Sequence, residues 1–255
     1  MIAAGTMPPF HIAVLGFLCA FALSGSALIL NDYFDYEVDL INAPDRPLPS
    51  GVVSRQEVIG LTIITTLAGL SAAALLGFDC LIVGIIFWLI GILYNWRFKQ
   101  SGLPGNLMVC ASVAVTFILG AMTVHKPWSL IVWIFSLMAF FLDLGEEIAG
   151  DALDMEGDKK RGSRSIALIK GKRYALILSV IFWGLVILVD LLPVVLGLLG
   201  TGCFVIILIT DVLIVFFSIR LLCSPSEQVS RQSTRGIYLG ATLAIVAFLL
   251  GQIAG

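Results

Sequence analysis

Apolar runs of about 20 residues recur along this chain, and they constrain its fold more than any other feature. They fall at about 10–35, 57–77, 80–96, 105–123, 128–150, 172–192, 196–220 and 235–254. A helix crosses a bilayer core with ~20 apolar residues, so each run is one candidate span. Turn residues separate them: Gly77-Phe78-Asp79, Gly102-Leu103-Pro104-Gly105, His125-Lys126-Pro127, Pro193 and Ser224-Pro225-Ser226. The strands of a membrane barrel would alternate every second residue, and these runs do not. Charged residues are 13% of the 255, about half the roughly 25% of a soluble domain. The expectation is an all-α polytopic membrane protein with one transmembrane domain over 1–255. The opening MIAAGTMPPF has no basic leader and reads as a helix tail before a Pro-Pro turn. Most of one further span is therefore expected to be missing.

The charges sort the loops. Lys and Arg cluster at Arg46 and Arg55, at Arg97 and Lys99, between Lys159 and Arg173, and at Arg220, Arg231 and Arg235. These are alternate loops, and Lys126 alone lies on the other side. The positive-inside rule puts the basic loops in the cytoplasm, in a multi-pass protein of the cell membrane. No basic arm or Arg/aromatic surface is present to bind nucleic acid. Asp79 and Asp190 read as solvated outer helix ends. Asp211 sits inside a span, as either a functional or a hydrogen-bonded structural carboxylate. The five Cys form no metal-binding spacing and read as small hydrophobes. His11 and His125 have no ligand-spaced neighbours.

Two acidic clusters remain. Asn31–Gly51 (NDYFDYEVDLINAPDRPLPSG) follows the first long run, with Asp32, Asp35 and Asp39 at i, i+3, i+7, one face of a helix. Glu146–Arg164 repeats the pattern with Asp151, Asp154 and Asp158, and Glu147 adds the i−4 position. Carboxylates at the end of a lipid-buried helix are costly without a cation. One such cluster reads equally well as a solvated helix end. Two on the same side, each span followed by DxxDxxxD and a basic tail, form a weak internal repeat facing one cavity. Hard oxygen ligands suit Mg2+, which bridges carboxylates to phosphate oxygens. Helical spacing excludes a Ca2+ EF-hand loop. Mg2+ between the clusters would hold a diphosphate and stabilise it as it leaves. Arg46, Lys99, Lys159 and Arg161 are near enough in sequence to contact that diphosphate, with Pro47 and Pro49 stiffening the loop that aims Arg46. An apolar interior would hold a hydrocarbon tail. Tyr33, Phe34, Tyr94 and Trp96 are candidates to face an allylic cation.

These residues carry a resemblance. Asn31-Asp32-x-x-Asp35-x-x-x-Asp39 with Asp45-Arg46-Pro47-Leu48-Pro49-Ser50-Gly51 resembles the first signature of the UbiA-type intramembrane prenyltransferases. Asp151-x-x-Asp154-x-x-x-Asp158-x-x-x-Gly162 resembles the second, Tyr94–Lys99 the short Tyr…Lys loop, and Gly105-Asn106 the Gly-Asn after it. The resemblance implies a ring of eight to nine transmembrane helices around a lipid-open cavity, with Mg2+ and prenyl diphosphate at the cytoplasmic mouth. It implies Mg2+ on Asn31, Asp32, Asp35, Asp151, Asp154 and Asp158, with Asp39 as a further ligand or an aid to deprotonating the acceptor. Asp35, Asp39 and Asp154 are the expected catalytic carboxylates. Tyr94, Lys99, Arg46, Lys159 and Arg161 are expected on diphosphate oxygens, and Asn106 and Glu147 as further substrate contacts.

Glu156-Gly157-Asp158-Lys159-Lys160-x-Gly162 resembles the archaeal branch that makes the second ether bond of archaeal lipids. That branch transfers a geranylgeranyl group from its diphosphate to the free hydroxyl of geranylgeranylglyceryl phosphate. Two alternatives stay open at this point. One is an aromatic or chlorophyllide-like acceptor in the same reaction class. The other is a cation transporter, although its ion sites would sit mid-span rather than at helix ends.

Overall fold

The computed structural model describes residues 1–254 except 161, 199, 200 and 225, with backbone only at 42, 201–203 and 247–254. The helices are α1 (Phe10–Asn42), α2 (Arg55–Leu76), α3 (Phe78–Leu93), α4 (Leu103–Met122), α5 (Leu130–Leu153), α6 (Met155–Lys160), α7 (Ile166–Lys170), α8 (Lys172–Asp190), α9 (Leu192–Val195), α10 (Thr201–Cys223) and α11 (Glu227–Ala254). Among the described residues there is no strand. Among the described residues six helical segments are long and apolar enough to cross a membrane: Phe10–Ile41, Arg55–Leu76, Phe78–Phe98, Leu103–Met122, Lys172–Val195 and Phe204–Cys223. α5 is as long, but carries Asp143, Glu146 and Glu147 toward its end. The chain is a multi-pass membrane protein. Its outward faces are apolar, with Phe17, Leu67 and Ile209 more than half exposed, as a lipid-facing surface requires.

Consecutive long helices pack on one another from α1 through α5 to α8, α10 and α11. α11 also packs on α5 and on the 3-10 turn Ile2–Ala4. One core lies where α5, α8, α10 and α11 meet, around Ile148, Trp183, Ile214 and Ile237. A second joins α1 to α2, α3 and α4 around Cys19, Ala73, Cys80 and Leu119. Small residues bring the helices close. At Gly145 a Cβ would lie 2.4 Å from Trp183 Nε1, and that indole donates to Leu142 O at 3.1 Å.

Several boundaries differ from the sequence expectation. α1 runs unbroken to Asn42, because Tyr33, Phe34, Val38, Leu40 and Ile41 keep apolar side chains along the acidic turns. α11 starts at Glu227, so Arg231 and Arg235 stand on a helix rather than in a loop. The second acidic motif is not one helical face: α5 stops at Leu153, Asp154 caps it at φ −110, ψ 20, and α6 restarts at Met155. Asp190 is not a solvated end. It is 3% exposed and its carboxyl faces that of Asp211, which is 8% exposed. The sequence spacing missed this pair, because its members come from different helices.

Candidate active site

The site forms where the charged ends of α1, α3 and α5 meet. On α1, Asn31, Asp32, Asp35 and Asp39 lie along successive turns. Each is fixed by a group from elsewhere in the chain. Asn31 Nδ2 donates to Asn95 Oδ1 at 2.9 Å, and Asn95 Nδ2 donates to Ala27 O at 3.0 Å. Lys99 Nζ donates to Asn31 Oδ1 at 3.1 Å and pairs with Asp35. Arg46 donates to Asp39 at 2.7 Å and stands 3.7 Å from Asp32. Its loop turns back on itself: Ser50 Oγ donates to Arg46 O at 2.7 Å and Leu48 is buried. Arg55 closes the far side, over the Tyr36 ring and 3.2 Å from Glu37.

Tyr94–Phe98 is a π-helical turn ending α3. Such wider turns recur at functional sites. Here it sets Tyr94 and Asn95 against the cavity and sends Lys99 to α1. The glycines after it permit two close approaches. A Cβ on Gly105 would meet Phe98 O at 2.5 Å. Gly102, at φ +71, would place its Cβ 2.1 Å from Arg164 O, and Arg164 N donates to Gln100 O at 2.9 Å. The loop after α3 is thus clamped to the loop after α6. Gly105 also sets Asn106 in the first turn of α4, where its Nδ2 donates to Asp151 Oδ2 at 3.0 Å.

On the α5 side, Arg231 of α11 donates to Asp154 at 2.6 Å, to Glu227 at 2.8 Å and to Leu153 O at 3.2 Å. Asp151 lies past the apolar part of α5. Burial pushes its carboxyl up to about 6, the Asn106 hydrogen bond opposes this, and Asp158 and Asp154 add to it.

Two cavities meet here. One, of about 500 Å3, runs between α1, α3 and α4, lined by Leu23, Ala27, Phe87, Trp88, Tyr94 and Leu119 among others. The other, of about 770 Å3, is polar and lined by Glu146, Asp151, Asp154, Asp158, Lys172 and Arg231 among others. Among the described lining residues, Glu147 is the one common to both.

The structure therefore brings together Asn31, Asp35, Lys99 and Tyr94, and separately Asp32, Asp39 and Arg46. It joins Asn106 to Asp151 and puts Glu147 between the halves. Lys159 is exposed and makes no ion pair among the described residues. Arg161 lies outside the described residues. Of the four aromatic candidates, Tyr94 lines the apolar cavity, while Phe34 and Trp96 are exposed. Sequence reading missed Asn95, Phe87, Trp88 and Arg231. Asn95 sits inside the quoted Tyr94–Lys99 motif, and its side-chain amide was the available signal. Nothing in linear sequence pairs Arg231 with Asp154, 77 residues away.

A cation would find oxygen ligands here and no thiol or imidazole. Among the described residues no group of three His, Cys, Asp or Glu is arranged to hold a metal ion. A Mg2+ ion here would depend on water and substrate phosphate for much of its shell.

Fold and site together define a class, the helical membrane proteins in which acidic helix ends stand over an apolar cavity. Within it the chain belongs to the UbiA prenyltransferase family, whose sequence model matches residues 1–245. The digeranylgeranylglyceryl phosphate synthase of Thermococcus sibiricus is 34% identical over 254 residues, 99% of this chain and 89% of that protein. That of Pyrococcus abyssi is 31% identical over 253 residues, again 99% and 89%. A solved structure concerned with digeranylgeranylglyceryl phosphate synthase in membranes superposes at a TM-score of 0.83 with 27% identity, covering 100% of this chain and 90% of that one. A UbiA homologue from Archaeoglobus fulgidus bound to GPP and Mg2+ shares the fold at a TM-score of 0.65 and 20% identity, over 97% and 89% of the two chains.

Proposed function

We propose that this protein transfers a geranylgeranyl group from geranylgeranyl diphosphate to the free hydroxyl of geranylgeranylglyceryl phosphate, in a Mg2+-dependent reaction at the cytoplasmic face of the membrane. The observation that carries the reading is the meeting of a carboxylate-lined polar cavity with an apolar one at Glu147. A prenyl diphosphate needs that arrangement, with its charged end among hard ligands and its tail in an apolar slot. The synthases similar to this chain over nearly its whole length support the acceptor.

The residues divide the work. Asn31, Asp32, Asp35, Asp151, Asp154 and Asp158 hold Mg2+, with Asp39 beside them as a further ligand. Bound there, Mg2+ supplies Lewis-acid stabilisation of the departing diphosphate. Lys99 and Arg46 already stand among these carboxylates. They turn to diphosphate oxygens when substrate arrives, joined by Tyr94, Lys159 and Arg161. Phe87, Trp88 and Tyr94 line the apolar cavity and would shield the allylic carbon from water.

The test is product identification by mass spectrometry. Purified protein, Mg2+ and geranylgeranyl diphosphate are incubated with geranylgeranylglyceryl phosphate or with an aromatic quinone precursor. The expected product is digeranylgeranylglyceryl phosphate. A prenylated ring formed in its place overturns the acceptor assignment. Metal uptake into liposomes without prenyl diphosphate overturns the enzyme reading.

A further inference from the structure

Prenyl transfer to a hydroxyl releases a proton, and the metal and diphosphate contacts above do not say where it goes. We infer that Glu147 is the catalytic residue that accepts the proton of the acceptor hydroxyl, an inference that rests on the prenyl-transfer reading.

The reacting atoms must lie at the junction of the two cavities, since the donor's C1 joins an apolar tail to a charged diphosphate. Glu147 is the residue at that junction. Asp151 and Asp154 line only the polar cavity. Asp39 is a poorer base. It is 3% exposed and held by Arg46 at 2.7 Å. Asp143 is one turn deeper on α5 and buried, with Cys110 as its partner, and it lines neither cavity.

The surroundings suit proton uptake. Asp143, Glu146 and Asp151 lie near Glu147 on its own helix, and Lys99 is a cation within electrostatic reach. Tyr238 of α11 faces the same acids. Glu147 also lines the polar cavity, so the proton it takes has a path to water. In the step, the bond from C1 to the diphosphate oxygen breaks and its electron pair leaves with diphosphate. A lone pair on the acceptor oxygen forms the new C–O bond. The hydroxyl proton passes to a Glu147 carboxylate oxygen and then to water in the polar cavity.

The experiment separates proton removal from ionisation. Glu147→Gln keeps the shape and removes the base. Two rates are measured in reconstituted vesicles with Mg2+: ether product formed with acceptor present, and diphosphate released from donor alone, where water captures the cation. The expected result is a loss of ether formation by roughly 10²-fold, at least tenfold larger than any loss of donor-only release. Glu147→Asp should recover part of the transfer. Ether formation by Glu147→Gln above a tenth of the unmodified rate overturns the inference. So does an equal loss of both rates, which would make Glu147 a binding group. If Glu147→Gln does not fold, Glu147→Asp carries the test, and equal slowing of both its rates overturns the inference. If the unmodified protein releases no diphosphate under either condition, the prenyl-transfer reading itself falls.

Discussion

Lys99 touches Asn31 and Asp35 and reaches Glu147 electrostatically. It is one of three cations that share out the carboxylates, with Arg46 on Asp39 and Arg231 on Asp154. Each pair does two jobs. It neutralises a carboxylate near the apolar region. On the proposed function it also keeps a positive group for diphosphate, and substrate with its metal would exchange these partners. Removing a ligand should then hurt chemistry more than folding. Asp35→Ala and Asp154→Ala are each expected to lower transfer by roughly 10²-fold or more, while the protein inserts and purifies as before. Single-turnover assays on both variants check this, and near-normal turnover in both would sink the two-cluster arrangement.

At the scale of elements, two close approaches fix the geometry. The first is Gly102 against Arg164, which ties the Lys99 loop to the loop after α6. Gly102→Ala adds strain at positive φ of about 1–3 kcal/mol and drives a Cβ into a backbone oxygen. A lower thermal unfolding midpoint in detergent is expected, together with weaker donor binding because Lys99 moves. The second is the Asp190–Asp211 pair between α8 and α10. Each has a buried oxygen with no hydrogen-bond partner among the described residues, and each carboxyl offers the other a polar neighbour where an isolated one is costly. Asp190→Asn keeps a donor and should cost little. Asp190→Leu strands Asp211 and should cost about 1–3 kcal/mol in the same melt. Neither contact was legible in the sequence. Six of the eight expected spans were, those other than 128–150 and 235–254, because lipid demands long apolar runs whatever their neighbours. The first acidic cluster was too, since Asp32, Asp35 and Asp39 share one helix and spacing alone sets their face. The second was read as one face, yet α5 breaks at Asp154. Asn95 on Asn31 and Arg231 on Asp154 depend on packing between distant segments, which no local spacing encodes.

For the whole molecule, the depth of the apolar cavity sets what it can hold. Its walls run eleven helical steps along α1, from Asn31 to Ala20, and eleven along α3 and the turn that ends it, from Tyr94 to Val83. At 1.5 Å per helical residue this is about 16 Å. The floor is Leu23, Val83 and Leu119, side chains that also belong to the core joining α1, α2, α3 and α4. An extended chain advances roughly 1.2 Å per bond, a third of the span of one extended residue, so four isoprene units reach about 18 Å and two about 8 Å. A tail of four units therefore reaches the floor, and one of two units leaves the lower half of the slot unfilled. Each buried CH2 is worth about 0.8 kcal/mol, so kcat/KM for the four-unit diphosphate should exceed that for the two-unit one at least tenfold. Leu119→Trp raises the floor and should narrow or reverse that preference, since overpacking a filled slot is itself costly. Competition between the two donors in one vesicle assay measures the ratio directly. Equal use of both by the unmodified protein would mean that the tail lies along the lipid-facing side and the floor plays no part.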